Sequence, residues 1–422
     1  MAATRFRYVV VFLLFAITVV NYIDRAAISF SIPLMEHSLG LSKADEGAIL
    51  GAFGVGYAIT TLLSGFAVDR WGARGVLTLA ALLWSFSIGL TGAATGFAML
   101  YGARVLLGVA EGPGFPAMMG AVNRWLPPAD QATALGYGLI AVPIALAIGG
   151  PVITQLLAVL DWRWTFYVLF AGSLAWVPLW WFLFRNNPAD SPHVDIRERL
   201  LIEAGRSAPA QRHGIRWSEM RVLLTNRTLV ANYWAFFVFG YYLFFFMGWL
   251  PTYLYQRYHL DLRSVGAFTV LPWLAAAVAL WAISHGSDYL LKTTGSLRVA
   301  RSYLIAGTQF VAALAVIPVA FGVSLPMAVA CISLAVAASM GANAAYFAVN
   351  ADVFPRLSAT GSGIMDFTFA LAGFIAPSLT GWVLNIRGSF ADGFVLMAAL
   401  AASSVLLVLV FHHPDRDRVL DR

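Results

Sequence analysis

Charge is what this sequence has least of. Of its 422 residues, 11% are charged and 60% are hydrophobic, whereas a soluble chain carries roughly a quarter charged residues. That shortage excludes a water-soluble globular protein and leaves a chain that crosses a membrane many times. A single cysteine, Cys331, excludes a disulfide framework or a cysteine-based metal site and is expected to be a small buried apolar residue. None of the seven histidines (His37, His193, His213, His259, His285, His412, His413) falls in the middle of an apolar segment. This argues against haem, di-metal or histidine-base chemistry in the membrane, so neither an enzyme nor a cofactor is expected. The net charge of +6 comes without a basic run interleaved with aromatics, which excludes nucleic acid as a partner. Pore loops and charged rings, from which channels are usually built, are not visible either.

What is there is a series of twelve apolar segments, at 8–33, 46–68, 76–96, 98–122, 132–157, 163–184, 228–256, 263–287, 301–322, 326–350, 360–385 and 391–412. Most are long enough to span a bilayer with some tilt. The first follows Arg5 and Arg7 in the manner of a signal peptide but is too long and lacks a small-residue cleavage pattern; it is read as an uncleaved first helix. With the amino terminus inside, twenty of the 27 basic residues fall on the cytoplasmic side, and five (Lys43, Arg163, Arg257, Arg263, Arg387) fall opposite. The bias predicts cytoplasmic termini in a multi-pass protein of a cell membrane, expected to be a bacterial inner membrane. The one long loop, 185–227, separates an amino-terminal six-helix bundle (1–184) from a carboxy-terminal one (228–422). The fold class is therefore an all-α membrane protein of two pseudo-symmetric halves, in which a substrate site is expected at mid-membrane.

The most informative stretch is Asn21-Tyr22-Ile23-Asp24-Arg25, an acid and a base inside the first apolar segment. Each such charge costs ~2.5–3.5 kcal/mol at the bilayer centre and usually faces a protein interior or an aqueous path. The other deep ionisable residues are Arg104, Glu111 and Asp366. Arg104 and Glu111 are two turns apart on one helix face, and Asn21, Asp24 and Arg25 share a face at i, i+3, i+4. One network of two acids and two arginines is predicted between the first and fourth segments.

Several spaced motifs carry a family resemblance. The run from Gly65 to Arg74, GFAVDRWGAR, resembles the loop signature of the major facilitator superfamily. With NYIDRAAIS, GAILGAFGVGYA, RVLLGVAEGPGFPA and GWLPTYL, the chain is similar over essentially its whole length to that superfamily's anion:cation symporter family. The resemblance implies a twelve-helix alternating-access carrier moving organic anions with protons. The helix 1 acid and base of the family match Asp24 and Arg25, the helix 4 Arg and Glu match Arg104 and Glu111, and the helix 2 tyrosine matches Tyr57. The sugar-acid members have an amide in helix 5 and an asparagine in helix 11; this chain has Pro143 and Asp366 there.

These readings assign roles. Arginine offers a carboxylate a planar, permanently charged fork. Arg25 and Arg104 are expected to alternate between substrate and the proton-accepting acids Asp24 and Glu111. The same four residues would also serve as a structural ion-pair lock without proton transfer. Asp366 is read as a third proton site, an acceptor for substrate hydroxyls, a counter-charge for a substrate amine, or a protonated acid bonded to a neighbouring helix. With it ionised, the five charges sum to −1 and favour a monoanion or zwitterion. Tyr57, Tyr241, Asn343, Tyr346, Phe347 and Asn350 complete the candidate substrate contacts, and Asp69, Arg70 and Arg74 are expected to latch the halves. A monomer surrounded by lipid is expected, taking up a sugar acid or other monocarboxylate with protons. The alternative is a proton-coupled exporter or exchanger of an aromatic, zwitterionic or amine-bearing acid.

Overall fold

The computed structural model describes residues 4–204 and 216–419, and its regular structure is entirely helical. Among the described residues, eleven helices are long and apolar enough to cross a membrane. One of them, Lys43–Gly92, has 50 residues, about 75 Å at 1.5 Å per residue and more than twice the hydrocarbon thickness. It holds two spans, because Gly72 inside it has φ 78° and ψ 158° and reverses the chain. A side chain is excluded there twice over, by the positive φ and by Asn186, which would lie 2.3 Å from a Cβ. The twelve spans are α1 (Phe6–Leu39), α2 (43–71), α3 (73–92), α4 (Phe97–Trp125), α5 (Pro128–Val159), α6 (Trp162–Leu183), α7 (Arg227–Tyr258), α8 (Leu262–Thr294), α9 (Arg298–Ala320), α10 (Leu325–Val353), α11 (Pro355–Arg387) and α12 (Ala391–Phe411).

Local sequence sets the ends of these spans. Ser42 and Asp45 form a reciprocal capping box before α2, and Asp161, Asn226 and Asp261 each accept a backbone N–H at the start of α6, α7 and α8. Outward faces carry side chains no soluble protein would leave in water: Phe12, Leu63 and Phe66 are 65%, 65% and 71% exposed.

The halves meet at one end through glycines. On α2, Gly47, Gly51 and Gly54 lie at i, i+4 and i+7 and press against α11. A Cβ on Gly54 would fall 2.3 Å from the Phe374 nitrogen, and one on Gly47 would fall 2.7 Å from the Gly381 Cα. Gly266 of α8 approaches Gly150 of α5 in the same manner. Small residues let membrane helices approach to backbone contact. Both termini lie at the opposite end.

At that end the linker ties into both halves. Its helix Ile196–Glu203 buries Glu198 completely. The Glu198 carboxylate accepts from the Phe6 and Arg7 backbone N–H groups at 3.0 Å and 3.0 Å, from Thr4 Oγ1 at 2.6 Å and from Arg7 Nη1 at 3.1 Å. It thus neutralises the exposed donors at the start of α1. In the second linker helix, Trp217–Thr225, Glu219 pairs with Arg356 at 2.7 Å. Residues Arg206, Arg212 and His213 of the linker, and Arg422, lie outside the described residues. Replacing Glu198 by Ala is expected to remove about 2–3 kcal/mol of stability. Thermal unfolding of the purified full-length protein in detergent checks this; an unchanged Tm would contradict it.

Candidate functional site

Below the glycine-packed end, on the side of the termini, lies a cavity of about 960 Å³ counting its mouth. It runs between the halves, and its wall is mostly aliphatic and aromatic. The polar groups on it are Thr18, Asn21, Tyr22 and Arg25 of α1, Tyr57 of α2, Glu111 of α4, Asn343 of α10 and Asp366 of α11.

The electrostatic centre is one ion pair. Arg25 Nε and Nη2 both donate to Glu111 Oε2, at 2.9 and 2.6 Å, and Nη2 also reaches Asn21 Oδ1 at 3.4 Å. Arg25 Nη1 and Glu111 Oε1 have no hydrogen-bond partner although both are buried. The guanidinium carbon lies 4.4 Å from the Tyr22 ring centroid, 4.3 Å from Phe53 and 5.4 Å from Tyr57. These rings crowd the guanidinium, and one nitrogen of it stays unspent.

The backbone positions two of these side chains in a matching way. Helix α4 has an irregular turn at Gly112-Pro113, just after Glu111, and α10 has one at Ala342, immediately before Asn343, each with helical hydrogen bonds continuing across it. These are the fourth spans of the two halves. Local irregularities of a membrane helix are tolerated where the backbone is buried in protein or lines a cavity.

The remaining sequence-predicted residues divide. Asn343, Phe347, Tyr57 and Asp366 are on the cavity wall with Arg25 and Glu111. Asp24 is not. It is 1% exposed and accepts a hydrogen bond from Ser173 Oγ of α6. The shared face expected for Asn21, Asp24 and Arg25 fails because consecutive helical residues are about 100° apart. Asn21 and Arg25 straddle the cavity direction, while Asp24 is turned into the bundle. Arg104 is likewise buried and off the wall. It stands two turns, about 10.5 Å, from Glu111, its guanidinium is 5.5 Å from the Phe53 centroid, and its Nε has no partner. Of the predicted four-residue network only Arg25 and Glu111 are hydrogen-bonded as an ion pair; Asp24 and Arg104 are within electrostatic range of it without a hydrogen bond to it.

Tyr346 is fully buried, its hydroxyl accepting from Gln309 Nε2 at 2.9 Å. Asn350 donates to Ser362 Oγ at 3.3 Å and packs on Met365 of α11. Tyr241 is 1% exposed within the α7 core. Of the loop residues, Arg74 is held inside the amino-terminal half: its Nη2 donates to the Trp181 carbonyl at 2.6 Å and its backbone N–H to Asn186 at 2.9 Å. Asp69 and Arg70 are exposed in the last turn of α2, just before the reversal at Gly72. Sequence reasoning passed over Tyr22, Phe53, Phe115 and Ser173. Ser173, a hydroxyl in an otherwise apolar span, was the readable signal for where Asp24 points.

Comparison with known proteins fits this architecture. The Major Facilitator Superfamily model matches residues 14–377. The hexuronate transporter of Bacillus subtilis is 32% identical over 409 residues, covering 96% of this chain and 94% of the relative. The "Probable galactarate/D-glucarate transporter" of the same organism is 31% identical over 435 residues (99% and 94%). The "Probable sulfoacetate transporter" of Cupriavidus necator is 30% identical over 394 residues (92% and 90%). Among solved structures, an inward-facing, occupied bacterial homologue of the human lysosomal transporter Spinster superposes with a TM-score of 0.77, at 15% identity and with full coverage of both chains. A D-xylose-proton symporter gives 0.75 at 14% identity, covering 99% of this chain and all of that one. Twelve spans in two halves, a cavity between them and whole-length relatives that are all transporters lead to one assignment: this multi-pass membrane protein is a transporter, not an enzyme, and belongs to the major facilitator superfamily.

Proposed function

We propose that the protein is a proton-coupled symporter that takes up a small organic anion by alternating access. The observation that carries this is the buried Arg25–Glu111 pair on the cavity wall, with one unsatisfied atom on each partner. The relatives named for hexuronate, galactarate and glucarate support an organic acid as cargo.

The chemistry follows from charge balance. With the cavity empty, Glu111 holds Arg25 and neither charge is bare. A proton on Glu111 weakens that bond and frees the fork, and a substrate carboxylate then takes the place of the Glu111 oxygen. Proton and anion arrive together because each makes room for the other. The group of Arg25, Glu111 and substrate is again neutral, as Arg25 and Glu111 were alone, so loading adds no uncompensated charge at that point as the helices rock past it. Exit of the anion reverses the sequence and returns the proton. Asp24 and Asp366 are further proton-accepting candidates, Asp24 acting from behind α1 through its bond to Ser173. Arg104 stands in reserve one layer above the pair, reaching substrate only after Phe53 moves. With the termini in the cytoplasm, the present cavity is the inward-facing state. Asp69, Arg70 and Arg74 would then guard the rim that must close when the cavity opens outward.

Proteoliposomes test this. Glu111→Gln is expected to keep exchange of internal for external substrate within about twofold of wild type while accumulation driven by a pH gradient falls at least tenfold. Undiminished pH-driven accumulation would remove Glu111 from the coupling.

A further inference from the structure

The cavity wall says more about the cargo than "organic anion". Arg25 supplies one pole, and Asp366 enters from α11 in the other half, within electrostatic range of Tyr22 and Tyr57. Phenylalanine rings also line the cavity. Phe115 of the amino-terminal half stands 5.8 Å from Phe347 of the other, and Phe236 stands 5.6 Å from Phe347 and 5.5 Å from Phe369. From α5 the wall receives Leu139 and Val142, with Pro143 next in sequence, and no amide. A sugar acid carries hydroxyls along its whole length, each needing a partner once out of water. This wall sets its other polar groups (Thr18, Asn21, Tyr22, Tyr57, Asn343) beside a group of phenylalanine ring faces, and those faces suit a flat apolar body.

Asp366 itself sets the far end. Unlike Glu111, it has no hydrogen bond or ion pair with any described residue, and it is on the wall where a ligand can reach it. A carboxylate on a cavity wall with no donor from the protein takes its hydrogen bonds from water or from the occupant, and an occupant that displaces the water must bring a donor.

We propose that the cargo is an aromatic monocarboxylate with a hydrogen-bond donor on the ring remote from its carboxylate, the carboxylate held by Arg25, the ring by the phenylalanine faces and the donor by Asp366. This rests on the organic-anion reading above and narrows it. A plain arene carboxylate leaves Asp366 unanswered and a uronate offers the rings no flat apolar face, so both bind more weakly.

The test is equilibrium binding to the purified full-length protein in lipid nanodiscs, with 4-hydroxybenzoate, benzoate, cyclohexanecarboxylate and D-glucuronate as probes. Expected is 4-hydroxybenzoate binding at least tenfold tighter than each of the other three, a ratio typical of one charge-assisted hydrogen bond. In Asp366→Leu the preference for 4-hydroxybenzoate over benzoate falls to within about twofold while benzoate still binds. Asp366→Asn, which keeps the shape and removes the charge, falls between; it carries the test if the Leu variant does not fold. D-Glucuronate binding tightest, or equal binding with and without the ring hydroxyl, overturns the aromatic assignment and leaves an organic-anion carrier. No carboxylate binding to protein of wild-type melting temperature overturns both readings.

Discussion

Arg25→Lys is expected to abolish transport in every mode and to weaken carboxylate binding at least a hundredfold, in a protein that still folds. Lysine keeps the charge and so keeps Glu111 from being stranded, but it lacks the planar fork. In the present geometry Arg25 spends Nε and Nη2 on a single Glu111 oxygen and lies against Tyr22 and Phe53. An ammonium on a flexible stem cannot grip Glu111 and present a second edge to substrate from one position. Arg25→Ala is a harsher change and gives a different signature. Breaking one side of a buried pair leaves the other charge uncompensated, at a cost of about 3–5 kcal/mol. The double variant Arg25→Ala/Glu111→Gln is expected to recover most of that stability without recovering binding. Thermal unfolding and equilibrium binding on the three proteins separate the two roles. If the double variant binds carboxylate as wild type does, Arg25 is only a helix lock and the anion site is elsewhere.

The spans and the most consequential side chains were legible because membrane burial is so costly. Every charge left inside an apolar run had to be accounted for, and Arg25, Glu111 and Asp366 do share one cavity. Partnership was not legible. Arg25 and Glu111 are 86 residues apart, and nothing local distinguishes that pairing from Arg25 with Asp24 or Glu111 with Arg104. Facing was legible only where a helix stays regular over the window used. At Asn343, Phe347 and Asn350 the seven-residue spacing is sound as an angle, but the two turns it spans carry Asn350 past the cavity to Ser362 and Met365. On α7 the tyrosines were the chemically obvious choice, yet Phe236, Phe239 and Leu243 form the stripe on the wall while Tyr241 points into the core. A helix packed on several sides gives no apolar periodicity by which to choose. The reversal at Gly72 was marked by its loop signature, and its positive φ supplies the reason for glycine there.

Gly54→Val is expected to eliminate transport in a protein that still folds. The Gly54 backbone touches the α11 backbone directly: a Cβ would lie 2.3 Å from Phe374 N, 2.6 Å from the Gly373 carbonyl carbon and 2.7 Å from the Ala370 oxygen. None of these atoms can swing aside as a side-chain tip can, so α2 and α11 must separate along the whole stripe that includes Gly47 and Gly51. Separation opens the end of the molecule away from the termini. A carrier that cannot close that end cannot isolate its cargo from one side before exposing it to the other. The measurement uses the chain's single cysteine to advantage. In a Cys331→Ser background, a cysteine at Leu50, which is 4% exposed within that seam, should resist a membrane-impermeant maleimide added from the side opposite the termini. With Gly54→Val it should label rapidly. Resistance that persists in a transport-dead Gly54→Val protein would mean the helices had absorbed the methyl groups elsewhere. The seam would then not be the element that seals the end away from the termini.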